Sequence, residues 1–141
     1  MTIVWRRRDR ELRQALVEDN DASGKDFSRA RLVALDLHGK RLQGCNFEYT
    51  DLTEANLEHA DLRGANLHGA SLTGARFAGA NLIGARLDEA MMMATDFRDA
   101  ALTDATLVGA IWDQNTAWPS GYKPKLADVG RWHGRTRPSG T

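Results

Sequence analysis

From Phe27 onward, every fifth residue of this chain is large and apolar. Phe27, Leu32, Leu37 and Leu42 begin the series, and Met92, Phe97, Leu102, Leu107 and Trp112 end it, eighteen positions without a break. Two places before most of them the residue is small, as at Ala30, Cys45, Thr50, Ala55 and Ala110. Between the two, short polar side chains recur, as at Asn46, Asp51, Asn56, Asp61 and Asn66. An α-helix cannot use this period: five residues advance a side chain by about 500°, a net of about 140°, so the leucines would spiral over every face. A strand can. Side chains two apart share a face, so the small residue and the leucine both point inward. The odd period then demands a corner in the two residues after each leucine, where Gly39, Gly44, Gly64, Gly69, Gly74, Gly79, Gly84 and Gly109 stand.

Residues 55–74, ANLEHADLRGANLHGASLTG, carry this pattern in its clearest form. Over residues 25–112 the sequence resembles the pentapeptide-repeat family, whose motif is A-(D/N)-L-x-x. The resemblance implies an all-β fold, a right-handed quadrilateral (square) parallel β-helix with four repeats per coil and about four and a half coils. At strand spacing such a rod is roughly 22 Å long. A twenty-residue coil stacks Phe27, Phe47, Leu67, Leu87 and Leu107 in one interior ladder, and Leu37, Leu57, Phe77 and Phe97 in another. Lys25, Leu35 and Lys40 occupy slots that elsewhere hold small residues, which marks the first coil as the weak one.

Three segments follow: 1–24, an N-terminal capping segment with a short helix; 25–112, the repeat β-helix; and 113–141, a C-terminal cap and basic tail. The helix is expected over residues 10–18, with Asp9 as N-cap and Leu12, Ala15 and Leu16 on one face. NTAWPSGYKPKLADVG, from residue 115, resembles the T-x-W-P-x-G-(F/Y)-x-P tail of many bacterial arrays and places Trp118 and Tyr122 over that end of the rod. Pro119 and Pro124 keep the segment out of the ladder.

Composition narrows the function classes. The chain has 141 residues, with 19 basic and 19 acidic side chains, so no net field draws it to nucleic acid or an anionic membrane. Cys45 is the only cysteine, which excludes an intrachain disulfide framework and agrees with a cytoplasmic location. Residues 1–10 are too polar for a signal peptide, and no apolar run reaches transmembrane length.

Stacking one coil apart places Glu48, His68 and Asp88 in a vertical row, read as a solvated ladder because a metal site usually needs more imidazole or thiolate ligands. His38 and His59 face outward singly. Cys45 fills an inward slot as a small core residue. Arg6, Arg7, Arg8, Lys123, Lys125, Arg131, Arg135 and Arg137 are solvated termini. No activated serine and no phosphate loop are present, so no catalytic, cofactor or metal residue is assigned and the protein is read as a non-enzyme.

Met91, Met93 and Ile111 point outward on one side and mark an interaction surface, covered by the tail, by a homodimer partner or by another protein. The function expected is that of a non-catalytic interaction or scaffold protein. The alternative is a DNA mimic acting on gyrase or another topoisomerase, like the quinolone-resistance members of the family. Mimicry needs acidic rows along the rod. Here Glu48, Asp51, Glu54, Glu58 and Asp61 form a belt around one coil, and residues 25–112 hold 12 acids against 9 bases, a net of −3.

Overall fold

The computed structural model describes residues 4–125. One helix, α1 (Arg7–Glu18), precedes a ladder of isolated parallel bridges. Each bridge joins a residue to the one twenty later, from Asp21↔Arg41 through Met91↔Ile111. The chain therefore closes one coil every twenty residues, and the structure is a parallel β-helix. The ladder starts four residues before position 25, because Ala22 holds a centre slot that a search for large residues passes over; it is 1% exposed.

Every amide of a unit has a place. Within 66–70, Asn66 N donates to Cys45 O in the coil before (2.9 Å), while Leu67 N and Gly69 N donate to Arg86 O and Asp88 O in the coil after (2.7 and 2.9 Å). Ala70 N closes the corner onto Leu67 O at 3.1 Å. That leaves His68 N, which donates to the Asn66 side chain at 3.1 Å. Ten units in all, this one included, make this last bond with Asp or Asn as acceptor. In these units the Asp or Asn before the centre is thus needed by the backbone: it satisfies the one amide that the ladder does not.

The inward columns are dry. Phe27 stacks on Phe47 and Phe77 on Phe97, each pair with ring centroids 5.2 Å apart. Where the small slot holds a hydroxyl, it bonds a carbonyl of the coil before: Thr50 Oγ1 donates to Phe27 O and Thr95 Oγ1 to Leu72 O, both at 2.7 Å. Near the end the register slips by one residue, with Asp96 bridging Ala117. Asp113 absorbs the extra residue, its carboxylate accepting from Asn115 N and Ala94 N at 3.0 Å. The slip carries Trp118 over Phe97, 5.2 Å apart and 9° from parallel, with Tyr122 at 5.4 Å from Trp118.

At the other end α1 begins at Arg7, three residues earlier than expected, and Asp9 is not its N-cap: Arg6 holds that position without a side-chain cap bond. Leu16 is buried in the core and Leu12 packs against it. Asp9, 1% exposed, instead turns to the first coil, where its Oδ1 accepts from Arg31 N at 3.0 Å. Arg8 and Arg13 donate to Ser28 O and Val33 O at 2.8 and 3.0 Å. Higher in the rod, such amides and carbonyls meet another coil; here side chains of α1 take its place. The oversized first-coil residues fit this end. Lys40 is buried with Nζ donating to Asp19 O at 3.0 Å, Leu35 is buried, and Lys25 pairs with Asp19 at 3.3 Å.

Candidate interaction surfaces

Each corner places its second residue in the left-handed region. Glycine does this freely, but nine other residues do it too: Arg29, Ala34, Tyr49, Glu54, His59, Glu89, Ala94, Asp99 and Asp104, with φ from 53° to 60°. Several of the larger ones lie over a glycine one coil later. The Tyr49 ring occupies the space a Cβ on Gly69 would need, and a Cβ on Gly79 would sit 2.5 Å from His59 Nδ1. Glu54 over Gly74 and Glu89 over Gly109 leave 3.3 Å to Cγ. These pairings escaped the five-residue reading; stepping by twenty through the corner positions would have found them.

The acidic belt is largely occupied by the protein itself. Asp51 accepts from Thr53 N and from Thr53 Oγ1, at 3.1 and 2.6 Å. Asp61 pairs with Arg63 at 2.7 Å and accepts from Gln43. The Arg63 hydrogen bond, opposed by partial burial and helped by Gln43, lowers the Asp61 carboxyl to about 2. Glu58 lies 3.7 Å from Arg76, and Glu54 is a corner residue. Glu48 is half-buried.

The row of Glu48, His68 and Asp88 does not converge. His68 Nε2 lies 3.2 Å from Tyr49 Oη and 3.4 Å from Glu89 Oε2, both corner residues. Asp88 turns away to Arg86, Thr106 Oγ1 and Val108 N, at 2.9, 3.0 and 2.8 Å. Burial pushes the Asp88 carboxyl up, but those donors outweigh it and hold it below its usual range. Among the described residues no three His, Cys, Asp or Glu side chains are grouped to hold a metal ion. His38 and His59 are not single after all: their rings meet edge to face, 5.6 Å apart, because successive coils bring a corner residue beside its neighbour's flank. Cys45 is buried, with Sγ donating to Ala22 O at 3.0 Å, and burial pushes its thiol up, away from a reactive thiolate.

Met91 is 40% exposed and bridges the half-buried Ile111, with Met93 half-buried on the same coil side. Arg6 and Arg8 are not simply solvated, since both donate to carbonyls of the first coil. Lys123 and Lys125 are exposed, whereas Arg131, Arg135 and Arg137 lie outside the described residues. Among the described residues no helix is long and apolar enough to cross a membrane.

A family model for pentapeptide repeats matches residues 41–77 and 70–109, eight copies in all. No curated protein matches the sequence. Among solved structures, a pentapeptide repeat protein of the cyanobacterium Cyanothece 51142 is 25% identical over 74% of this chain and 95% of that one, with a TM-score of 0.48. A pentapeptide repeat protein of Nostoc PCC 7120 is 30% identical over 94% and 99% of the two chains, with a TM-score of 0.44. QnrB1, a plasmid-mediated fluoroquinolone resistance protein, is 12% identical over 81% and 90%, with a TM-score of 0.28, an overlap too slight to bear on function. The five-residue register, the twenty-residue ladder and the family match agree: this chain belongs to the pentapeptide-repeat family.

Proposed function

We propose that the protein is a non-catalytic interaction or scaffold protein, built as a right-handed, four-sided rod of about four and a half coils. In this reading the segments on either side cap a repeat body that is expected at 25–112 and reaches back to Asp21, and a partner protein, or a second copy, binds the side carrying Met91, Met93 and Ile111. The observation that carries it is the exposure of Met91 beside the half-buried Ile111 and Met93, an apolar cluster that gains by being covered. The enzyme reading lacks a constellation: the buried thiol is held as a donor, and the His68 row is split between other partners.

Apolar binding is not screened, so the partner should stay bound in high salt and be lost on Met93→Glu while the rod stays folded. Affinity capture with both forms at low and high salt tests this; a partner held equally by the two forms would place binding elsewhere. Sedimentation of the same pair decides whether the partner is a second copy. A DNA mimic would instead inhibit gyrase supercoiling in a salt-sensitive manner, and inhibition abolished by neutralising Asp51, Glu54 and Glu58 would favour it. The pairing of Asp61 with Arg63 and Glu58 with Arg76 speaks against that outcome.

A further inference from the structure

The ladder is left open where the last coil meets the C-terminal segment. In the coils before, the centre and corner amides of this side are always paired: Leu62 N with Asn81 O and Gly64 N with Ile83 O, then Leu82 N with Ala101 O and Gly84 N with Thr103 O, at 2.8 to 3.0 Å. Among the described residues, nothing accepts from Leu102 N or Asp104 N, and nothing donates to Ala100 O. By the register, the strand due here is the one after Trp118. Pro119 and the turn closed by Tyr122 N on Pro119 O (3.0 Å), with Gly121 at φ 76°, lead the chain aside. Between them lies a groove of about 570 Å³, lined by Ala100–Ala105, Pro119–Lys123 and Lys125. The core beneath it is less covered than elsewhere: Ala100 and Leu102 are 7% and 6% exposed, against 1% and 0% for Ala80 and Leu82.

We propose that this groove takes one extended peptide strand of acidic character as the missing rung of the ladder. The strand would accept from the two free amides, donate to Ala100 O and set a leucine over Leu102 and a small residue over Ala100, the arrangement of the two rungs below, Ala60 with Leu62 and Ala80 with Leu82. Adding a strand to an open edge uses backbone bonds for affinity and alternate side chains for selection. Charge sets the preference: two lysines, Lys123 and Lys125, line the groove against one carboxylate, Asp104. The site is separate from the Met91 surface, so either can fail without the other.

The test uses the full chain and a capped hexapeptide, EANLEH, copied from residues 54–59. Amide hydrogen exchange of Leu102 and Asp104 should slow at least about tenfold when the peptide is added at millimolar concentration, because exchange requires the new bonds to open. EANDEH, with a carboxylate in place of the leucine, should give no protection. QANLQH, or EANLEH with Lys123→Glu/Lys125→Glu protein, should bind at least about threefold more weakly at low salt. Amides that stay unprotected with peptide would overturn the proposal. So would amides already protected in the free chain, since the slot would then be filled by the protein's own segment. Equal affinity for EANLEH and QANLQH would overturn its acidic character. The wild-type measurement needs no variant to fold.

Discussion

A left-handed backbone at a residue with a Cβ costs about 1–2 kcal/mol, and this chain accepts that at nine corners. Ala34 shows the cost most plainly, because its methyl group offers no polar contact in return. Ala34→Gly should therefore raise stability by about 0.5–1 kcal/mol in urea denaturation, the relief of strain being partly offset by the freer unfolded chain. Gly79→Ala should do the reverse, losing about 2 kcal/mol, since the new methyl group meets both a positive φ and the His59 ring. The glycine corners were legible in the sequence as turn formers. Their second task, making room for Tyr49 and His59, was not, because it links residues twenty apart whose side chains look solvated when read five at a time. The same holds for Asp61: it reads as surface charge, yet it holds Arg63 N as well as the Arg63 guanidinium. Its native carboxyl value of about 2 lies below the unfolded value of about 4. The stabilisation it gives is complete above pH 4 and is lost as pH falls through 2. Asp61→Asn keeps the turn acceptor and should flatten that part of the acid-unfolding curve.

At the scale of the element, α1 shows how a helix can stand in for a β-coil. Its apolar stripe was legible from Leu12 and Leu16, and its burial followed. What could not be read was the direction of its charges. The run Arg6, Arg7, Arg8 has the composition of a solvated terminus, and only the three-dimensional path brings Arg8 to Ser28 O and Asp9 to Arg31 N. Burial pushes the Asp9 carboxyl up, but the Arg31 amide and Arg6 more than offset this and leave it lowered. Asp9 thus favours the fold above the usual carboxylate range and ceases to do so as pH falls below it. Asp9→Ala strands a backbone donor and should cost about 1–3 kcal/mol at neutral pH, with a smaller difference from wild type in acid. A loss independent of pH would mean that the side chain only fills space.

For the molecule as a whole, inward and outward positions carry unequal weight. Leu67 is fully buried, with Phe47 and Leu87 in adjacent coils. Leu67→Asp buries a charge without a partner and should leave the protein unfolded or insoluble. Glu58→Ala removes a partly exposed pairing with Arg76 and should shift stability by no more than about 0.5 kcal/mol. Circular dichroism melts of the two variants give the comparison directly, and similar melts would invert the assignment of faces. The periodic body was open to sequence reasoning because each unit repeats the same local physics. The ends, the one-residue slip at Asp113 and the open groove depend on where repetition stops, so no repeat could announce them.

The bonds between coils run from each coil to the next, along the stacking direction, and this gives the rod a mechanical grain. Tension applied between its two ends loads the outermost rung first, and each coil that peels away frees twenty residues, roughly 70 Å of slack chain. Pulled across its width, the same rod must shear many rungs together. Stretched end to end in an optical trap, the molecule should yield in a train of low, evenly spaced steps; gripped at two opposite sides of a middle coil, it should resist and then give way at once.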